Sequence, residues 1–323
     1  MRRTPYVTPL GPPAVSGAEE HFQRSLLARL ASKGFYPCAD VAGNVTVELG
    51  RASPVIMVAA PVDEPGWFVR GISPQGEAHL STVGRTPVAE VGRSLSRATG
   101  RVCVVELRRR RSLLVASGTR SIPLAVGDTV APGQVPACAA VPAAEALLER
   151  WRTREFSGTL VVSFLVRTRT SPVCAALPCA RVRPDLLLAV EGVGARVDLL
   201  EIPRGPGLFD RLQLRLVQCA GELSIPVRVT AALPSRAWVQ AMELEPPGCQ
   251  AGLLRFRNSP RGKGLACALD LLDAVLETLL VPQEDRPSLP DDVPLTRTAT
   301  SSRAQRTPRS ARRECPGRSS APR

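Results

Sequence analysis

Apolar residues first recur at helical spacing shortly after Ser16. Ser16-Gly17-Ala18-Glu19 has the form of a capping box, in which the serine oxygen accepts a first-turn N–H and the glutamate reaches back. Phe22, Leu26, Leu27 and Leu30 then share one face, and Gly34 marks the stop. Residues 44–49 alternate as a half-buried strand. Residues 55–60 are apolar throughout, the pattern of a central strand covered on both faces. From about residue 70 to 133 the pattern changes to short β-like runs at 78–83, 101–107, 112–116 and 128–130, broken by Gly, Pro and Ser. The α/β pattern then resumes, with a helix at 143–151 and buried strands at 158–166 and 185–190. Further strands follow at 226–232 and 251–256. A long amphipathic helix at 265–280 carries Leu269, Leu272, Leu276 and Leu279 on one face and ends at Pro282.

This pattern predicts an α/β fold with a small inserted β-barrel. The expected divisions are a short N-terminal arm (1–13), an α/β domain in two pieces (14–69 and 134–282), a β-barrel (70–133) and a disordered Arg/Pro/Ser-rich tail (283–323). The run Arg108 to Arg111 is expected on an exposed edge or turn, where charge blunts strand pairing.

Composition supports a globular core and locates the charge. The chain has 323 residues, 44% of them hydrophobic and only 4% aromatic, so Leu, Val and Ala must build the interior. Of 42 basic residues, all but Lys33 and Lys263 are arginine. Residues 297–323 hold eight arginines and one acid, Glu314, and so carry +7 of the net +13. That placement makes a basic tail, a possible nucleic-acid contact, rather than a basic domain. No apolar leader and no run of about 18 apolar residues occurs, so a cytoplasmic protein with no membrane partner is expected. Nine scattered cysteines without a CxxC are read as reduced thiols.

Three stretches carry a family resemblance: Val15-Ser16-Gly17 with Glu19, Gly43-Asn44-Val45, and MVAAPVDEPGWFVRGISPQG from Met57 onward. With the β-rich insert that follows, they resemble the glutamyl aminopeptidase and endoglucanase-like family, also called tetrahedral aminopeptidases, over roughly residues 14–281. The resemblance implies a three-layer α/β/α peptidase domain and large homo-oligomers. It also implies a cluster of two divalent ions, Zn or Co, about 3.5–4 Å apart, that activates a bridging water and polarises the scissile carbonyl. A glutamate takes the proton of that water as general base.

Carried across position by position, the implied site is degenerate. The first histidine ligand falls at Pro61, followed by the orienting Asp63 and by Glu64. The bridging aspartate falls at Ala139, the general base at Thr168 and its neighbouring ligand at Arg169. The next carboxylate matches Glu191, and the last histidine falls at Asn258. The family's Gly-Gly-Thr-Asp loop reads Pro234-Ser235-Arg236-Ala237. The chain's only histidines, His21 and His79, match no ligand position. Asp63, Glu64 and Glu191 alone would favour Mg or Ca over Zn. Arg169 is expected to replace the lost metal charge by pairing with one of those acids.

The leading expectation is a pseudo-peptidase without a cofactor, acting as a scaffold, assembling with itself or an active paralogue, or binding a peptide. One alternative is an active aminopeptidase with an atypical metal site. The other is an interaction protein whose basic tail binds nucleic acid.

Overall fold

A computed structural model describes residues 14–83, 92–98, 101–110, 113–117, 124–131, 140–193, 200–204, 210–231, 249–257 and 263–281. The expected arm (1–13) and tail (283–323), Ala139, Asn258 and the 234–237 loop lie outside the described residues.

The framework is one eight-stranded mixed sheet. Its strands are β1 (Cys38–Ala39), β2 (Val45–Gly50), β3 (Val55–Pro61), β10 (Thr159–Leu165), β11 (Leu186–Val193), β12 (Leu200–Arg204), β13 (Val227–Ala231) and β14 (Gln250–Arg257). Their spatial order is β1-β2-β10-β3-β11-β14-β12-β13. The centre, β10-β3-β11-β14, is parallel, and antiparallel pairs join β2 to β10 and β12 to β14. Buried on both faces, β3 fits its uninterrupted apolar sequence.

Five helices are described: α1 (Glu20–Ser32), α2 (Ala140–Trp151), α3 (Ala176–Val182), α4 (Asp210–Glu222) and α5 (Lys263–Leu280). Alternate strand residues sort onto the two sheet faces. Ile56, Val58, Leu160, Val162, Leu188 and Leu254 pack with apolar residues of α1, α2, α4 and α5 in the larger core. Met57, Ala59, Val161, Leu187 and Leu253 pack with Ala175 and Cys179 on the α3 face. Buried Glu145 of α2 ties that helix to α1, accepting from the Arg29 guanidinium and from Lys33. Trp151 is wholly buried, and its indole N–H donates to Asp273 of α5 at 2.8 Å.

Between β3 and α2 lie six further strands: β4 (Gly66–Ile72), β5 (Ala78–Val83), β6 (Gly92–Ala98), β7 (Arg101–Arg110), β8 (Leu113–Ser117) and β9 (Thr129–Ala131). They close as β4-β5-β8-β7-β6-β9. The first barrel strand starts at Gly66, earlier than residue 70, because Trp67 and Phe68 already pair with β5 and β9. Arg108, Arg109 and Arg110 pair with β8, and among the described residues the β6 pairing reaches only as far as Leu107. No described helix is long and apolar enough to cross a membrane.

The sequence reading needs one correction at α1. The helix begins at Glu20, and its N-cap residue Glu19 makes no side-chain cap. The capping-box side chains are used elsewhere: Ser16 hydrogen-bonds Thr170 and Glu19 accepts from the Arg167 N–H. Long-range partners for these two side chains have displaced the local cap.

Candidate functional site

The C-terminal ends of the parallel strands meet along one edge of the sheet. Pro61 ends β3 opposite Leu165, the last residue of β10. Glu191 lies near the end of β11, opposite Arg255 of β14. Thr168 and Arg169 follow on the loop after β10. The fold thus brings the expected positions Pro61, Thr168, Arg169 and Glu191 to the same edge. His21 is exposed on α1 and His79 is half-buried in barrel strand β5.

The loop after β10 is clamped residue by residue. The Val166 N–H donates to Asn44 Oδ1 at 3.0 Å, and the Arg167 N–H to Glu19 Oε1 at 2.8 Å. The Thr168 hydroxyl donates to Asp63 Oδ1 at 2.5 Å, and the Arg169 N–H to Asp63 Oδ2 at 3.1 Å. Thr170 Oγ1 meets Ser16 Oγ at 3.0 Å. Thr170 and Ser171 also donate their N–H groups to the Arg167 carbonyl, which closes the turn.

Arg167 sits at φ 55°, in the left-handed region. Such a residue costs on the order of 1 kcal/mol and persists where its surroundings over-determine it. The clamps on both sides of Arg167 supply that constraint.

The clamping side chains are buried and positioned by their own local structure. Asn44 is held by Asp40, whose Oδ1 accepts the N–H groups of Ala42, Gly43 and Asn44. The Asn44 amide then donates to Asp40 Oδ2 and to the Cys174 carbonyl. Asp63 is fully buried at the turn after β3. Glu64 is buried beside it, and its backbone bridges the Ala14–Ser16 segment. Burial raises the Glu19 carboxyl above its usual 4.5, against the opposing pull of the Gly17 and Arg167 N–H groups. Asp63 nearby adds to the rise.

Among the described residues Arg169 pairs with no acid. Its Nε donates to the Asp63 backbone carbonyl at 3.4 Å, and its guanidinium forms no ion pair among the described residues. The reason is local. The Asp63 carboxylate already accepts from the Thr168 hydroxyl and from the Arg169 main-chain N–H. These charge-assisted donors stabilise the buried anion without a side-chain cation.

The cation that faces Glu191 is Arg255, with Nε 3.4 Å from Oε2. Its Nη1 lies 4.0 Å from Glu201, which also accepts from Thr230 at 2.6 Å. Glu191, Arg255, Glu201 and Arg228 stand directly opposite one another across β11, β14, β12 and β13. The α3 face of the sheet therefore carries a ladder of alternating charge near its C-terminal end. Sequence reading missed Arg255 and Glu201. The signal available was a single arginine interrupting the apolar run at 251–256.

These residues do not fit a pair of divalent ions. Proline offers no side-chain donor atom, the Asp63 carboxylate is engaged by one O–H and one N–H donor, and Glu191 faces a guanidinium. Among the described residues no group of three or more His, Cys, Asp or Glu is arranged to hold a metal. Cys38, Cys174, Cys179 and Cys267 form no disulfide.

No family model and no curated protein matches the chain. Solved structures do. A TET aminopeptidase from the marine sediment archaeon Thaumarchaeota archaeon SCGC AB-539-E09 superposes with a TM-score of 0.70 at 16% identity, covering 84% of this chain and 94% of that one. The Pyrococcus horikoshii TET1 peptidase, described as assembling into a tetrahedron or a large octahedral shell, gives 0.65 at 17% identity over 81% and 95% of the two chains. An endoglucanase from Thermotoga maritima gives 0.60 at 18% identity over 83% and 96%. The chain has the fold of the TET aminopeptidases and endoglucanase-like peptidases across most of its length.

Proposed function

We propose that this chain is a pseudo-peptidase, in which an aminopeptidase scaffold serves assembly or peptide binding in the remnant cleft rather than hydrolysis. The observation that carries this reading is the state of the sheet edge. At the positions that the resemblance assigns to ligands and base, Pro61, Thr168 and Arg169 supply no carboxylate or imidazole, and the remaining carboxylate, Glu191, faces Arg255. Dinuclear hydrolysis needs several anionic or imidazole ligands and a free general base. The described positions supply neither. Assembly with itself or with an active paralogue is proposed because several proteins of this fold are described as dodecamers or shells.

The test is elemental analysis of the purified full-length protein, followed by an aminoacyl-anilide assay with added Zn, Co or Mn. Less than about one metal per chain and no turnover above a blank are expected. Two bound ions with turnover overturn the reading in favour of an active aminopeptidase. Light scattering on the same sample reports assembly, with a species larger than a monomer expected.

A further inference from the structure

The edge that would hold metal ions has reversed its electrostatic demand. Each buried acid whose contacts are described there is already served from within the chain: Asp63 by the Thr168 hydroxyl and Arg169 N–H, Glu19 by the Arg167 N–H, Glu191 by Arg255. The charge without a counter-charge is on the other side. Arg169 is half-buried, and only its Nε is engaged, by a backbone carbonyl. Its Nη1 and Nη2 groups meet no acceptor among the described residues. Arg167, two positions earlier on the same clamped loop, is exposed and likewise without an ion pair among the described residues.

We propose that the Arg169 guanidinium forms an anion-recognition site for the carboxylate of a peptide, with Arg167 adding charge at its mouth. This deepens the pseudo-peptidase reading and rests on it. With Nε fixed on the Asp63 carbonyl, the open edge of the guanidinium is the one spanned by Nη1 and Nη2. That edge presents two parallel N–H groups at the spacing of carboxylate oxygens. The hydrogen-bonded loop fixes the Arg169 backbone, and the long Nε contact orients the fork, which reduces the ordering cost of binding. A phosphate is disfavoured. Phosphate sites draw on runs of free backbone N–H groups, and here those of Val166, Arg167, Arg169, Thr170 and Ser171 are all engaged.

The test is equilibrium binding, in chelator, of a fluorescein-labelled oligoalanine peptide with a free C-terminal carboxylate, beside its C-terminal amide. Inorganic phosphate serves as a competitor. The free acid is expected to bind the full chain about 10-fold tighter than the amide, the scale of one charge-assisted fork. Arg169→Gln should remove that preference. Arg169→Lys, which keeps the charge and loses the fork, should remove most of it. Circular dichroism checks that both variants fold. Equal binding of acid and amide overturns the proposal. So does a preference that survives Arg169→Gln, which would place the binding in the basic tail, or stronger competition by phosphate than by free carboxylate. Because the assay excludes metal and needs no turnover, its failure leaves the pseudo-peptidase reading to be judged on metal content and hydrolysis alone.

Discussion

Two sets of residues meet at the C-terminal edge of the sheet, and they differ in kind. One set, Ser16, Glu19, Asn44 and Asp63, is buried and hydrogen-bonded to the loop after β10. The other set is the one at which the family resemblance would place the chemistry: Pro61, Thr168, Arg169 and Glu191. The supporting set retains the polar groups that its geometry requires. The second set, on the proposed reading, carries none of the groups that dinuclear hydrolysis uses except Glu191. A buried donor or acceptor left unpaired costs about 1–3 kcal/mol. Folding therefore penalises loss of a clamp, while the Arg169 side chain, half-buried and held by one long hydrogen bond, can change with little effect on stability. A scaffold can thus remain well defined with its reactive groups replaced.

The largest expected effect is at Asp63. Asp63→Ala leaves the Thr168 hydroxyl and Arg169 N–H buried without an acceptor, and should lower the unfolding free energy by about 3 kcal/mol in urea titration. Asn44→Ala should cost about 2 kcal/mol by freeing the Val166 N–H and Cys174 carbonyl. A loss below about 0.5 kcal/mol in either variant would break the distinction between the two sets.

Glu19 sharpens the comparison through pH. Burial raises its folded-state carboxyl above 4.5. Between that value and the folded pKa the native state binds more protons than the unfolded chain, so this group's contribution to stability falls as pH rises. Glu19→Gln removes the titration. Whatever its offset, the variant should gain on the wild type as pH increases from 4.5, measured by denaturation at a series of pH values. A difference that is flat or of opposite slope would show that the carboxylate is not strained by burial. The smallest effect belongs to Arg169. Arg169→Ala should change stability by less than about 0.5 kcal/mol, because it removes only a long hydrogen bond from a half-buried side chain.

Much of the fold was legible because apolar periodicity is a local signal. Strand β3 and helix α5 announce themselves, one as an unbroken apolar run and the other as a leucine stripe. Helix α4 was missed although Leu212, Leu216 and Cys219 are buried along one face. Its other positions, Arg211, Gln213, Arg215 and Gln218, made the segment read as polar. Strand β12 was missed because it is short and contains Pro203. The site was legible in its identities and not in its contacts. Val15-Ser16-Gly17, Gly43-Asn44-Val45 and Pro61-Val62-Asp63 could be recognised as motifs, yet nothing in them says that all three converge on one loop. The same limit explains the capping box. Ser16 and Glu19 have the right spacing for a local cap, but partners about 150 residues away in sequence took the side chains instead. The expected Arg169 ion pair failed similarly, because main-chain donors at Asp63 cannot be read from residue types.

The charge ladder has a consequence for how the sheet finds its alignment. Side chains alternate faces along a strand, so sliding β14 by one residue would turn Arg255 into the larger core and present Leu254 or Phe256 to Glu191 and Glu201. Both glutamates would then lie nearly buried without their guanidinium, while a cation entered an apolar layer. The ladder therefore works as a key that fits only one alignment of β11, β14, β12 and β13. The Glu191 carboxylate thereby helps select the native sheet.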